Sequence, residues 1–203
     1  LRTPWAEAGA WTLTTARAAA EAEAQAHDHG EGWAPADGWQ RTLSTTVTAM
    51  LSGAAFAILL AAVSLVSGLA ITRRNGIVWG LCGFIAVSLA PAAGLAPELP
   101  GMPAGDLAAR QVWWLGTIAA TGLGLYLIAA RREAWALPLA VVLIVLPHLI
   151  GAPAPVSHES AVPPGLAAAF AANALAANAV FWVLIGVFLS FTLNRFAQDS
   201  IPS

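Results

Sequence analysis

Five continuously apolar stretches alternate with charged connections along the chain, at roughly 45–71, 77–95, 112–130, 135–152 and 166–193. Every Arg, Asp and Glu falls outside them. Each stretch is about 18 residues or longer, enough to cross a hydrocarbon core of about 30 Å at 1.5 Å rise per residue. None shows period-2 alternation, which argues against a membrane β-barrel and for helices that satisfy their own backbone groups. The expected fold is an all-α integral membrane protein. A five-helix transmembrane bundle occupies 45–195, a polar extracytoplasmic N-terminal segment precedes it at 1–44, and a cytoplasmic tail follows at 196–203. Within 1–44, the Ala-rich stretch Thr14–Ala26 reads as a short exposed helix ending before Gly30. Small residues such as Gly116, Gly122 and Gly124 are expected to let the spanning helices pack closely. The fifth stretch is longer than a bilayer needs, so it is expected to tilt or to hold its first turns clear of the membrane.

Composition sharpens the class. Of the 203 residues, 58% are hydrophobic and 10% charged, and the mean hydropathy is +0.71. Soluble domains carry about 25% charged residues, so a soluble enzyme and a disordered chain are both excluded. The nine cations are all Arg and scattered, and the net charge is −2, so nucleic acid is not a partner. One Cys, Cys82, leaves no disulfide framework and no multi-Cys metal site. Membrane lipid is the natural solvent.

Loop charge gives an orientation. Arg73–Arg74, Arg131–Arg132 and Arg195 follow the first, third and fifth stretches, whereas the other two connections hold Arg110 alone and no cation at all. The positive-inside rule then places these Arg-bearing segments in the cytoplasm and the N-terminus outside. An outside N-terminus calls for a cleaved signal peptide or an earlier spanning helix ahead of Leu1. The outer side collects nine of the eleven carboxylates and His27, His29 and His158, with His148 near the outer end of the fourth stretch. An acidic outer face concentrates cations. It is also what remains when Arg is kept inside.

The candidate chemistry follows from those histidines. In an extended segment, His27 and His29 project together with Asp28 opposite; in a helix they diverge by about 200°. Imidazole with carboxylate suits borderline divalent metals such as cobalt, nickel and zinc, and binding requires neutral imidazole, so it weakens on acidification. A His-x-His loop is also often merely solvated. His148 follows Pro147, which removes a backbone N–H and frees a carbonyl in the preceding turn. Intramembrane ionisable groups are functional candidates, the bland alternative being a hydrogen-bonded neutral His at the interface. His158 and Glu159 lie about ten residues on, across a Pro-punctuated loop that can fold back over the same mouth. The other polar intramembrane groups are Asn173, Asn178 and Ser88, which precedes Pro91; Asn amides can coordinate hard cations, but these two read rather as helix–helix contacts. Trp113–Trp114 and Trp135 read as interfacial belt residues. No P-loop, GxSxG or HExxH motif occurs, so neither ATP hydrolysis nor another catalytic constellation is expected. A bis-His haem lacks its second ligand, and no tightly bound cofactor is expected.

Four stretches together resemble the CbtA-type cobalt transporter subunit family. They are Gly32–Gly38 with Arg41–Thr42; Ala90–Pro91 with Pro97–Ala104, Asp106–Leu107 and Arg110–Trp114; Pro147–Pro153; and Pro163–Phe170 with Phe181–Trp182. The resemblance implies a bacterial inner-membrane protein for cobalt uptake tied to cobalamin biosynthesis. It also implies a small CbtB-type partner subunit; assembly as a homo-oligomer or within a larger membrane complex is left open by the sequence. It marks His27, His29 and His148 as candidate metal ligands, to which the residue pattern adds Asp28, His158 and Glu159. Members of the family usually begin with an additional spanning helix, which residues 1–20 cannot supply because Arg2, Glu7 and Arg17 interrupt them. An accessory subunit of a larger complex, without transport activity of its own, is the alternative reading.

Overall fold

The computed structural model describes residues 35–155, 160 and 162–199. The expected helix at Thr14–Ala26 therefore lies outside the described residues. Among those described, the chain is all helical and has no strand: α1 (Trp39–Ser67), α2 (Gly76–Ala92), α3 (Leu107–Ala130), α4 (Ala136–Ile150) and α5 (Pro164–Asp199). α1, α3 and α5 are long and apolar enough to cross a membrane, whereas α2 and α4 are shorter apolar helices. At 1.5 Å per residue, α2 reaches about 25 Å and α4 about 23 Å.

The helix ends depart from the apolar stretches for local reasons. α1 begins inside the segment assigned to the polar N-terminus, after a turn at Gly38 (φ +91°) whose carbonyl accepts from the Thr42 N–H at 3.1 Å. It stops at Ser67, before residue 71, because Gly68 adopts a left-handed φ of +71° and the Ser64 hydroxyl donates to the Leu69 carbonyl at 2.7 Å. α3 starts at Leu107, five residues before the apolar stretch, because Asp106 caps it by accepting from the Ala109 N–H at 2.8 Å. α4 ends at Gly151, φ +88°. Pro163 and Pro164 open α5, where a missing N–H costs nothing.

The chain divides into two compact units, Leu1–Thr48 and Ala49–Ser203. In the first, Arg41 pairs with Asp37 at 3.1 Å on an exposed surface. In the second, the helices pack in pairs. α2 lies on α5, α3 on α4, and the last turns of α2 also meet α3. α1 reaches α5 through Phe56, which packs on Trp182 with ring centroids 4.9 Å apart, and through Leu60, which joins Ile71, Trp182 and Ile185 in one buried cluster. Most other large apolar side chains on the five helices are exposed, Val66 and Leu149 among them. An apolar exterior of that extent suits lipid contact.

Glycine governs one pairing. Gly76, Gly80 and Gly83 lie along one face of α2 and meet Ser190, Gly186 and Trp182 of α5 so closely that a Cβ on any of these glycines would strike its partner. In the other pairing, Gly124 of α3 lies against Ile144 and the Ala140 carbonyl of α4. Gly116 and Gly122 do not serve the close packing expected of them: a Cβ at either would find open space. Their helix turns them away from the α4 seam, which α3 fills with Thr117, Thr121 and Gly124 instead.

Candidate functional site

The geometry around His148 is built from three helix ends. Pro147 sits in the last turn of α4 and has no N–H, so the Leu143 carbonyl loses its helical donor. The Pro147 carbonyl accepts twice, from the Gly151 N–H at 3.1 Å and from the Trp113 indole Nε1–H at 3.1 Å. The same indole meets the His148 ring edge-on at 5.9 Å, with 71° between the planes. His148 is half-buried there.

Trp113 comes from the second turn of α3. It presses on the chain after α2, where a Cβ at Gly94 would lie 2.5 Å from its ring and 3.0 Å from the Ala152 Cβ. The connections that follow α2 and α4 also touch. A Cβ at Gly105 would lie 3.1 Å from the Ala154 carbonyl oxygen and 3.2 Å from that of Pro153. Glu98 in the first of these connections is half-buried and bonded by Arg110 of α3 at 2.8 Å, so its carboxylate is already engaged.

Trp113 therefore packs at the α3–α4 seam, with its indole N–H engaged by the Pro147 carbonyl. Sequence reading missed its role because a Trp pair near a span end normally marks an interface. Burial separates the two rings: Trp113 shares a face with Thr117 and Thr121, both fully buried, whereas Trp114 is exposed. Trp135 is exposed.

Further polar groups lie deeper. Residues Ile85–Leu89 of α2 form a π turn, in which the Ala90 N–H reaches back five residues to Ile85 just ahead of Pro91. Ser88 within it accepts from the Trp182 Nε1–H at 3.3 Å, a hydrogen bond across the α2–α5 pair. Asn178 instead bonds its own helix, through the Ala174 carbonyl at 3.0 Å, and Asn173 is exposed. Thr121 is fully buried, and its hydroxyl has no hydrogen-bond partner.

Of the expected ligand residues, His27, Asp28, His29, His158 and Glu159 lie outside the described residues. Among the described residues, no three His, Cys, Asp or Glu side chains come together as a metal-binding group. At the other end of the α3–α4 pair, a cavity of about 370 Å³ is lined by Leu127, Arg131, Arg132, Glu133 and Leu137. With two guanidinium groups to one carboxylate, it suits an anion better than a cation.

No curated protein and no solved structure matches the chain. The family described as "Probable cobalt transporter subunit (CbtA)" matches residues 7–194, nearly the whole length. The chain belongs to that family.

Proposed function

We propose that this protein is the membrane subunit of a cobalt uptake transporter that captures the ion on its extracytoplasmic face and serves cobalamin biosynthesis. It sits in a bacterial inner membrane with its N-terminus outside and its C-terminus in the cytoplasm, and works with a small CbtB-type subunit. Its role is transport rather than catalysis, and nickel or zinc are alternative cargoes. The family match supports cobalt as cargo, and loop Arg placement supports the orientation.

The observation that carries the reading is the setting of His148. An imidazole at the end of an apolar helix is held by a tryptophan, beside a proline that breaks the helical ladder. A purely structural position could hold Leu at no desolvation cost. His27, Asp28 and His29 would gather the ion first, and His158 with Glu159 would join His148 at the mouth.

Cobalt uptake by intact cells tests the reading. His148→Ala should abolish uptake with the protein still present in the membrane. His148→Gln should fail as well, because an amide can replace the hydrogen bonds of imidazole but is a poor ligand for borderline metals. Wild-type uptake by the Gln variant would overturn the role of His148.

The second reading is an accessory subunit, favoured by how few ionisable groups lie within the apolar stretches. Metal content after purification separates the two, since a scaffold should carry no cobalt.

A further inference from the structure

We propose that the α3–α4 seam beneath His148 holds an internal oxygen site for the cation in transit, formed by the Thr121 hydroxyl and the Leu143 carbonyl. This rests on the transport reading above and extends it inward from His148.

Two independent observations converge on the seam. The first is the orphan hydroxyl. Four polar side chains are buried among the described residues, and three of them find a carbonyl: Ser64 bonds Leu69, Thr117 bonds Trp113 and Ser190 bonds Val187. Thr121, with no exposed surface, bonds nothing. A helical Thr can ordinarily donate to the carbonyl three or four residues back, as Thr117 and Thr192 do. An uncompensated buried hydroxyl is the kind of group that a functional occupant explains.

The second is the broken ladder of α4. Pro147 denies the Leu143 carbonyl its helical donor. The register of the antiparallel pair places the two groups at one level. Trp113 meets Pro147, and Gly124 meets Ala140 and Ile144. Thr121 falls between these two points, level with Leu143 and Ile144. Trp113, Thr117 and Thr121 then form a polar row, one turn apart, that leads inward from His148.

A hydroxyl and a carbonyl are weak ligands for a borderline metal compared with imidazole. That ordering suits passage, because an ion held by His148 can step to a site that releases it. The seam is closed in this structure, so the ion reaches the site when α4 swings at the break above Leu143.

The test compares Thr121→Val, which keeps the shape and removes the hydroxyl, with Thr121→Ser, which keeps the hydroxyl. Both are made in the full chain. Cobalt uptake is measured in cells, with membrane level checked, and melting of the purified protein is followed with and without cobalt(II). Removing an orphan hydroxyl should leave thermal stability unchanged or raise it. The Val variant should nevertheless lose uptake by about tenfold or more and lose part of the cobalt-induced melting shift, whereas the Ser variant keeps both. A Val variant that transports like wild type would overturn the site, and so would an unchanged cobalt shift. If the Val variant does not accumulate, Thr121→Ala takes its place under the same criteria. Should wild-type cells take up no more cobalt than cells lacking the protein, the transport reading itself falls, and the melting shift decides the site alone.

Discussion

Replacing Gly83 by Ala tests whether the α2–α5 contact is set by backbone approach. The added methyl would land on the six-membered ring of Trp182, against Cε3 and Cζ3, with Cδ2 at 3.2 Å. That ring has little freedom to move. It is 2% exposed, bonded to Ser88 at 3.3 Å, and packed against the Phe56 ring with centroids 4.9 Å apart and the planes tilted by 51°. Overpacking of this kind costs about 1–3 kcal/mol. If the indole turns away, its bond to Ser88 adds about 0.6 kcal/mol, the mean for interhelical hydrogen bonds in a membrane protein. A better helix former returns about 1 kcal/mol at most, so the net should be a destabilisation of about 0.5–2.5 kcal/mol. The decisive measurement is a double-mutant cycle with Trp182→Phe. Phenylalanine lacks the atoms that the methyl strikes, so Gly83→Ala should cost about 1 kcal/mol less in that background. Unfolding in mixed micelles reads both values. Strict additivity of the two substitutions would refute the steric account, even if each is destabilising alone.

Gly116→Ala and Gly122→Ala offer the contrast, since each methyl enters open space and should stabilise by about 0.5–1 kcal/mol in the same unfolding assay. Asp106→Ala removes the α3 cap and should cost about 1 kcal/mol, with Asp106→Asn recovering most of it. In a variant lacking Cys82, an impermeant thiol reagent should label Pro103→Cys from outside intact cells and leave Arg74→Cys untouched; the reverse pattern would invert the proposed topology. Calorimetry on a peptide spanning 21–41 should show weak cobalt binding that vanishes when His27 and His29 are both replaced by Ala, and identical heats would remove the capture site.

Helix number and approximate position were legible because an apolar run of spanning length, bounded by charge, admits few other structures in lipid. The ends were less so, because they depend on single residues: the Asp106 cap moved α3 earlier, and Gly68 cut α1 short. Packing faces were the least legible. Gly116, Gly122 and Gly124 look alike in sequence, yet only Gly124 lies on the seam, because hydropathy carries almost no facial information when every side of a helix is apolar. For the candidate site, His148 and Pro147 stood out by their rarity in an apolar run, whereas the part played by Trp113 required knowing which ring turned inward. Nothing in the sequence separates Thr117, which bonds back to its own helix, from Thr121, which does not.

The two short helices make sense together. Neither α2 nor α4 reaches the roughly 30 Å of a hydrocarbon core, and each carries a proline near the same end of the bundle, Pro91 and Pro147. Irregular backbone at membrane depth is tolerated only where protein or a water-filled cavity shields it. Here the shield is mutual: the chain after α2 and the chain after α4 close on each other through Gly94, Ala152, Gly105 and Ala154, with Trp113 wedged between them. Bulkier residues at Gly94 or Gly105 would force the two connections apart and leave their carbonyls unshielded. Helices that stop short and are completed by packed loops are also where transporters place ion sites, since carbonyls freed from the ladder can face an ion. The proposed inner site would need few charged groups for the same reason: the helix break, the His148 imidazole and the Thr121 hydroxyl would offer lone pairs inside the membrane without a standing charge to desolvate.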